Sequence, residues 1–365
     1  MSTPKNKFIV NSASGGGPQI HEVPYPTLPR DDYMIVKVRA VAVQPTDPFH
    51  ADLKGEHSVS GCYAGCDYAG EVIEVGAGVT KDFVRGDRVA GFSNGANFLR
   101  KTDGAFGYYT AVKGDLQFKI PGHMSNEDAA TQGVAISTMG QSLYRDLKLP
   151  LPNNPSKEPF PVFIYGGSTA MGISGIQLAK LSGATVITTS SPANFSYLRS
   201  LGADHVFDYQ SPTLVADVTA AAGGRDAIRH ALDTKSIRSS AEMCARVLSP
   251  EPGSKYSALL WDVDGFVKDI NPGVETLATM AYTATGEEWY YFGRRDAVPE
   301  DYVFARDFII VAEALLQEGK LKAPKVFLNR GGSGLKGVLQ GFHECRDGKV
   351  SAGKLVYTID PDTDE

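Results

Sequence analysis

The chain has 365 residues, 42 % of them hydrophobic and 21 % charged, with a formal net charge of −6. That length holds two domains of ordinary size, the acidic balance argues against a nucleic-acid binder, and no apolar run reaches membrane-span length. Cys62, Cys66, Cys244 and Cys345 are too scattered for a disulfide framework, and the opening MSTPKNKFIV has no signal-peptide core, so the expected compartment is the reducing cytoplasm.

From Lys7 to Arg100 the pattern is mostly β. Met34–Val43 alternates and is rich in β-branched residues, Tyr68–Val79 reads as a strand running into a glycine turn, and Gly86–Gly91 turns into a further strand. Phe106–Val112 continues the β character. Glycines at 65, 70, 76, 78, 86 and 91 punctuate these runs and predict a compact antiparallel or barrel-like domain. Ser125 followed by Asp128 has the spacing of a helix N-cap with an acid at N3, opening onto AATQGVAISTMGQSLYRDL. Leu149–Pro161 holds five prolines and predicts a rigid connection into a second domain.

There the pattern changes. An apolar run ending in Tyr165, a turn bearing Gly166, Gly167 and Gly172, a helical phase from Met171 to Leu181 and a β-branched run from Ala184 to Thr189 make a βαβ unit. Phe195–Leu201 then reads as a helix stopped by Gly202 and His205–Tyr209 as a strand. Further alternation through DAIRHALD and SALLWDV predicts a parallel, doubly wound sheet. Tyr302–Gln317 predicts an amphipathic helix closed by Gly319, and the final GKLVYTID a strand that rejoins the N-terminal domain.

A strand–glycine turn–helix unit binds a dinucleotide through the unsatisfied N–H groups at the helix N-terminus. The turn departs from G-x-G-x-x-G, with Thr169 and Ala170 among its glycines, while Ser168 and Thr169 offer hydroxyls to phosphate. A tight turn in a domain that binds no nucleotide is the alternative. The second strand runs into Thr189, Ser190, Ser191, Pro192, Ala193 and Asn194 without the Asp or Glu that bonds a ribose 2′-hydroxyl, so a 2′-phosphate, and hence NADPH, is the expected ligand.

The segments GCDYAGEVIEVG, GDRVAGF, FGYYTAV, AISTMG, GADHVFDY and SAGKLVY, in this order around the βαβ entry, resemble the medium-chain dehydrogenase/reductase superfamily. The fold this implies is α/β: a GroES-like β domain at 1–150 and 322–365, and a Rossmann doubly wound parallel-sheet domain at 151–321. YGGSTA, SSPANF, GADHVFDY and PLPNNPSKEP are most similar to the fungal trans-acting enoyl reductases. The implied activity is reduction of the α,β double bond of a polyketide acyl thioester on a partner highly reducing polyketide synthase, or a synthase–peptide synthetase hybrid, with hydride from NADPH. A monomer is expected in preference to a homodimer, with no nucleic-acid or membrane partner.

The resemblance implies NADPH contacts at Thr46, Asp47, Pro48 and Phe49 beside the nicotinamide, and at Ser168, Thr169, Ala170 and Met171 on the pyrophosphate and ribose. Ser191, Pro192, Ala193 and Asn194 fall on the 2′-phosphate, Tyr209 near the adenosine, Leu259 and Leu260 by the nicotinamide, and Val350 and Ser351 at the closing edge. Ile136, Ser137, Thr138, Met139, Gly140, Gln141 and Ser142, with Met280, Ala281, Tyr282, Thr283 and Ala284, are the implied acyl-binding stretches. Thr138 is the candidate catalytic donor to the thioester oxygen; its alternative is a helix threonine bonding its own backbone. Phe49 stands where some relatives carry lysine, which leaves the proton donor unassigned. Zinc members of the superfamily carry Gly-His-Glu where this chain has Gly65-Cys66-Asp67, with further ligands at the positions of Gln44 and about Val134, so no metal is expected. A free-standing zinc-independent NADPH quinone or alkenal oxidoreductase is the alternative activity, and a nucleotide-binding protein without catalysis a third possibility.

Overall fold

In the computed structural model, which describes residues 4–12 and 17–360, the chain forms two units, 1–137 with 282–365 and 138–281. The first opens with an antiparallel hairpin of β1 (Asn6–Val10) and β2 (Gln19–Val23). The β-branched run forms β3 (Tyr33–Ala42), antiparallel to β4 (Asp67–Val75) in a register that sets Met34 opposite Val75 and Ala42 opposite Asp67. β5 (Arg88–Phe92) pairs with β4, β6 (Tyr109–Lys113) with the first half of β3, and β7 (Gln117–Lys119) with β5.

The second unit carries six parallel strands: β8 (Phe160–Tyr165), β9 (Ala184–Ser190), β10 (His205–Asp208), β11 (His230–Asp233), β12 (Lys255–Ala258) and β13 (Glu275–Ala278). Their order is β10-β9-β8-β11-β12-β13, so the winding reverses between β8 and β11, the switch point at which open α/β sheets bind ligands. Phe163, Ile187, Ala231 and Tyr256 are buried with Val218, Ala241 and Cys244 of the flanking helices. The expected doubly wound sheet is what the chain forms.

The return to the first unit adds a ribbon of β14 (Trp289–Tyr290) and β15 (Arg294–Arg295), a helix over Pro299–Gln317, and β16 (Lys325–Leu328) parallel to β17 (Gly353–Thr358). β17 takes the second half of the β3 edge, antiparallel, which is the rejoining that the terminal GKLVYTID run predicts. Met34, Val36, Tyr68, Val72 and Phe106 share a core with Val338, Phe342 and Tyr357.

The boundaries differ from those expected at 151 and 321. Residues 138–150 belong with the parallel sheet because Tyr144 bonds Leu178 O at 3.2 Å and Asp146 accepts from Thr279 at 2.6 Å. Residues 282–321 belong with the first unit, to which the Pro299–Gln317 helix is tied by Lys81–Glu313 and by Tyr302 against Asp115 at 3.3 Å. Phe106–Tyr108 is not part of β6. Gly107 bridges Phe8 instead, so closely that a Cβ there would lie 2.0 Å from the Phe8 ring. Ser125 does cap a helix, accepting from Asp128 N–H at 3.0 Å, but that helix is one turn, Asn126–Ala129. It resumes at Gly133–Gly140 after Thr131 turns its hydroxyl back onto Asp128 O at 2.6 Å.

Candidate functional site

In the second unit β8 delivers the chain into the glycine turn. Gly166 has φ +82°, and a Cβ at Gly172 would come within 2.3 Å of Gly166 O, so only glycine lets the helix begin directly behind the strand. Thr169 caps that helix, Ala170–Leu181, by accepting from Gly172 N–H at 2.9 Å. The first i→i−4 bond runs from Ile173 to Thr169 at 2.9 Å, which leaves the N–H groups of Ala170 and Met171 as first-turn donors for an anion. Thr169 is itself held by Thr234, whose hydroxyl lies 2.9 Å from it and 2.9 Å from Tyr165 O. Its oxygen is therefore engaged in the cap, and Ser168 is the hydroxyl left for phosphate.

β9 ends at Ser190, buried, whose Oγ has no hydrogen-bond partner among the described residues. Beyond it Asn194 Nδ2 donates to Ser191 Oγ at 3.1 Å, and Pro192 and Ala193 are exposed. The strand thus ends in an orphaned buried hydroxyl beside an uncharged, donor-bearing turn. Tyr209, just past β10, is 45 % exposed.

Asp233 at the end of β11 escapes sequence reasoning. It accepts from Lys235 and Ser236 N–H, both at 2.9 Å, from Ser240 at 2.6 Å and from Tyr256 OH at 2.8 Å. Burial raises its pKa despite these donors. Ser236 Oγ then takes Leu259 N–H at 2.8 Å, so the carboxyl fixes the backbone at Leu259, while Leu260 is 49 % exposed. The only sequence signal is an acid closing the HALD strand.

Ile136 and Ser137 lie in the first unit and Thr138, Met139 and Gly140 in the second, all buried on the Gly133–Gly140 helix. Thr138 is 7 % exposed at this position. Gln141 and Ser142 open a π-helical turn, Gln141–Asp146, a geometry that recurs at functional sites. Ser142 bonds Thr279 at 2.8 Å, placing the turn next to Met280 and Ala281 in sequence. The expected 280–284 stretch divides at this point, with Tyr282, Thr283 and Ala284 in the first unit.

In the first unit Thr46, Asp47, Pro48 and Phe49 open the helix Thr46–Asp52. Phe49 is exposed and edge-on to Phe292, while Val350 and Ser351 precede β17. Asp47 accepts Gln44 N–H at 2.6 Å, and its other oxygen is buried without a partner among the described residues. Burial, reinforced by nearby Asp67, pushes its pKa up to about 7, against the Gln44 bond. The folded protein therefore holds a proton that the unfolded chain releases near pH 4, so stability is lost as pH rises from there to 7. Asp47→Asn is expected to melt above the parent at pH 8 and level with it near pH 4; a gap independent of pH across that range would contradict the assignment.

Asp67 is fully buried and receives Lys354 Nζ, Gln44 Nε2 at 2.6 Å and Val134 N–H at 2.7 Å. These residues do not fit a zinc ion. Gln44 stands at one ligand position with its amide committed to Asp67, Asp67 is neutralised by an ammonium, and Val134 supplies only backbone. Burial raises the Cys66 thiol well above its usual range, away from the thiolate a metal requires. Cys62 lies with Val59 and Ala96 as a small apolar side chain.

Tyr282 closes this wall. Its OH is 2.9 Å from Thr46 Oγ1 and 3.3 Å from His50 Nε2, with His50 3.4 Å from Thr46. Membership of Tyr282 in an acyl-binding stretch was expected; its bond to Thr46, 236 positions away in sequence, was not.

Comparison with known proteins gives three findings. Residues 30–122 match the alcohol dehydrogenase GroES-like domain family, and residues 170–253 the family described as zinc-binding dehydrogenase. The chain is 40 % identical to trans-enoyl reductase resD of Aspergillus sclerotiorum over 96 % of its length and 99 % of the relative. It is 39 % identical to trans-enoyl reductase ACTTS2 of Alternaria alternata (95 % and 97 % covered) and 46 % to TOXD of Cochliobolus carbonum (71 % and 83 %). Among solved structures, the CurK enoyl reductase superposes with a TM-score of 0.75 at 18 % identity, covering 98 % and 100 % of the two chains. A quinone oxidoreductase from Coxiella burnetii does so at 0.70 and 20 %, with the same coverage, so both show the fold.

Proposed function

Because the chain belongs to the fungal trans-enoyl reductases of the medium-chain dehydrogenase/reductase superfamily, we propose that it reduces the α,β double bond of a polyketide acyl thioester held on a partner synthase, with NADPH as hydride source. The partner is a highly reducing polyketide synthase or a synthase–peptide synthetase hybrid, and the working unit a cytoplasmic monomer. No helix of the described residues is long and apolar enough to cross a membrane. The observation that carries the reading is the wall at Gln44, Thr46 and Asp67. Where a zinc dehydrogenase sets a metal to polarise a carbonyl, this chain has a lysine–carboxylate pair flanked by neutral hydroxyls.

Bound NADPH would supply a hydride to the β-carbon. In the second unit, Ala170 and Met171 N–H with Ser168 would hold its diphosphate, and Ser190, Ser191 and Asn194 its ribose and 2′-phosphate. The hydroxyl of Thr138 is then the donor for the thioester oxygen as charge develops there. Thr46, Asp47, Pro48 and Phe49, with Val350 and Ser351, form the proposed nicotinamide contacts in the first unit. The test is NADPH oxidation by an α,β-unsaturated pantetheine thioester compared with a small quinone; preference for the quinone would make this a free-standing quinone or alkenal reductase.

A further inference from the structure

Reduction of an enoyl thioester needs an acid for the α-carbon. From the contacts around Thr46 we propose that Tyr282 is that acid, with Thr46 and His50 as positioning residues that orient and re-protonate its hydroxyl. The inference rests on the function proposed above. Its ground is the triangle formed by Tyr282 OH, Thr46 Oγ1 and His50 Nε2, with sides of 2.9, 3.3 and 3.4 Å. As whole residues, Tyr282 is partly exposed and His50 is buried.

The protonation states suit the role. Burial pushes the His50 pKa down to about 4, leaving a neutral ring that holds one proton to share. Burial also raises Tyr282 well above its ordinary value, which keeps it a phenol. The ring is held by stacking on Trp289, at 6.0 Å and 23°, and by Phe92 at 6.2 Å. Its backbone is clamped further along. Lys113 donates to Thr285 O at 2.9 Å and to Glu287 at 2.8 Å, and Glu287 also meets Arg100 at 3.2 Å and Arg30. A tyrosine held at ring, hydroxyl and backbone delivers a proton to one face of a planar enolate.

The step balances. Hydride from NADPH forms the β-carbon–hydrogen bond, and the electron pair of the double bond moves toward the thioester as an enolate. That pair returns to form the α-carbon–hydrogen bond with the Tyr282 proton. The phenolate regains a solvent proton by relay, Thr46 or His50 passing its own proton on as it takes up another, giving one saturated thioester and NADP⁺ per NADPH and proton.

The experiment compares the full chain with its Tyr282→Phe variant on 2-methylcrotonyl pantetheine, reading kcat, KM and the configuration at the α-carbon. The parent is expected to give one α-configuration. The variant is expected to lose roughly 100-fold in kcat, with KM little changed, and to give a mixture at the α-carbon as water replaces the phenol. A single unchanged α-configuration from the variant, whatever its rate, overturns the inference and leaves the function standing. Absence of thioester turnover by the parent overturns both. Should Tyr282→Phe fail to fold, His50→Gln reads the same relay: a several-fold fall in kcat at constant NADPH affinity is expected, and an unchanged kcat overturns it.

Discussion

Lys354→Met is expected to destabilise the first unit by roughly 3–5 kcal/mol, the range for breaking a buried ion pair from one side. Lys354 is 2 % exposed and Asp67 0 %, so removal of the ammonium leaves a carboxylate with only Gln44 and the Val134 N–H for partners. The methionine fills the same volume, which confines the effect to charge. For a unit of this size the melting temperature should fall by on the order of 10 °C. Adding Asp67→Asn should recover much of the loss, because a neutral amide no longer demands a cation. A cost below about 1 kcal/mol for Lys354→Met alone would mean that water reaches Asp67, and with it the wall at Thr46.

Ser191→Glu is expected to produce the second large effect, on cofactor choice. A carboxylate placed at the end of β9 meets the proposed 2′-phosphate as a like charge, which costs several kcal/mol. NADPH affinity should fall by roughly 100-fold, while NADH, which offers hydroxyls to that carboxylate, is held as well or better. Fluorescence titration of both cofactors reads this directly. Equal weakening of the two would place the 2′-phosphate elsewhere and remove Ser191–Asn194 from the cofactor site.

Local chemistry was legible in the sequence. The turn at Gly166 and Gly172, the cap at Ser125 and the acid-free end of β9 depend on neighbours a few positions apart, and each appears as read. What sequence reasoning missed joins distant segments: Lys354 to Asp67, Tyr282 to Thr46, and Asp233 gathering Ser240 and Tyr256. No periodicity announces a pair separated by 236 positions, because the partners meet only after the sheets have formed. The two compact units divide elsewhere than at 151 and 321 for a related reason. The proline run at 149–161 looks like a linker, yet the chain changes unit inside the Gly133–Gly140 helix, where the local signal is continuous.

The function rests most directly on the acceptor. NADPH oxidation should be followed with crotonyl pantetheine, with a simple quinone, and with NADH in place of NADPH. Turnover of the thioester that exceeds that of the quinone and prefers NADPH is the predicted result. Rapid quinone reduction with no thioester turnover would contradict it and remove the need for a polyketide synthase partner.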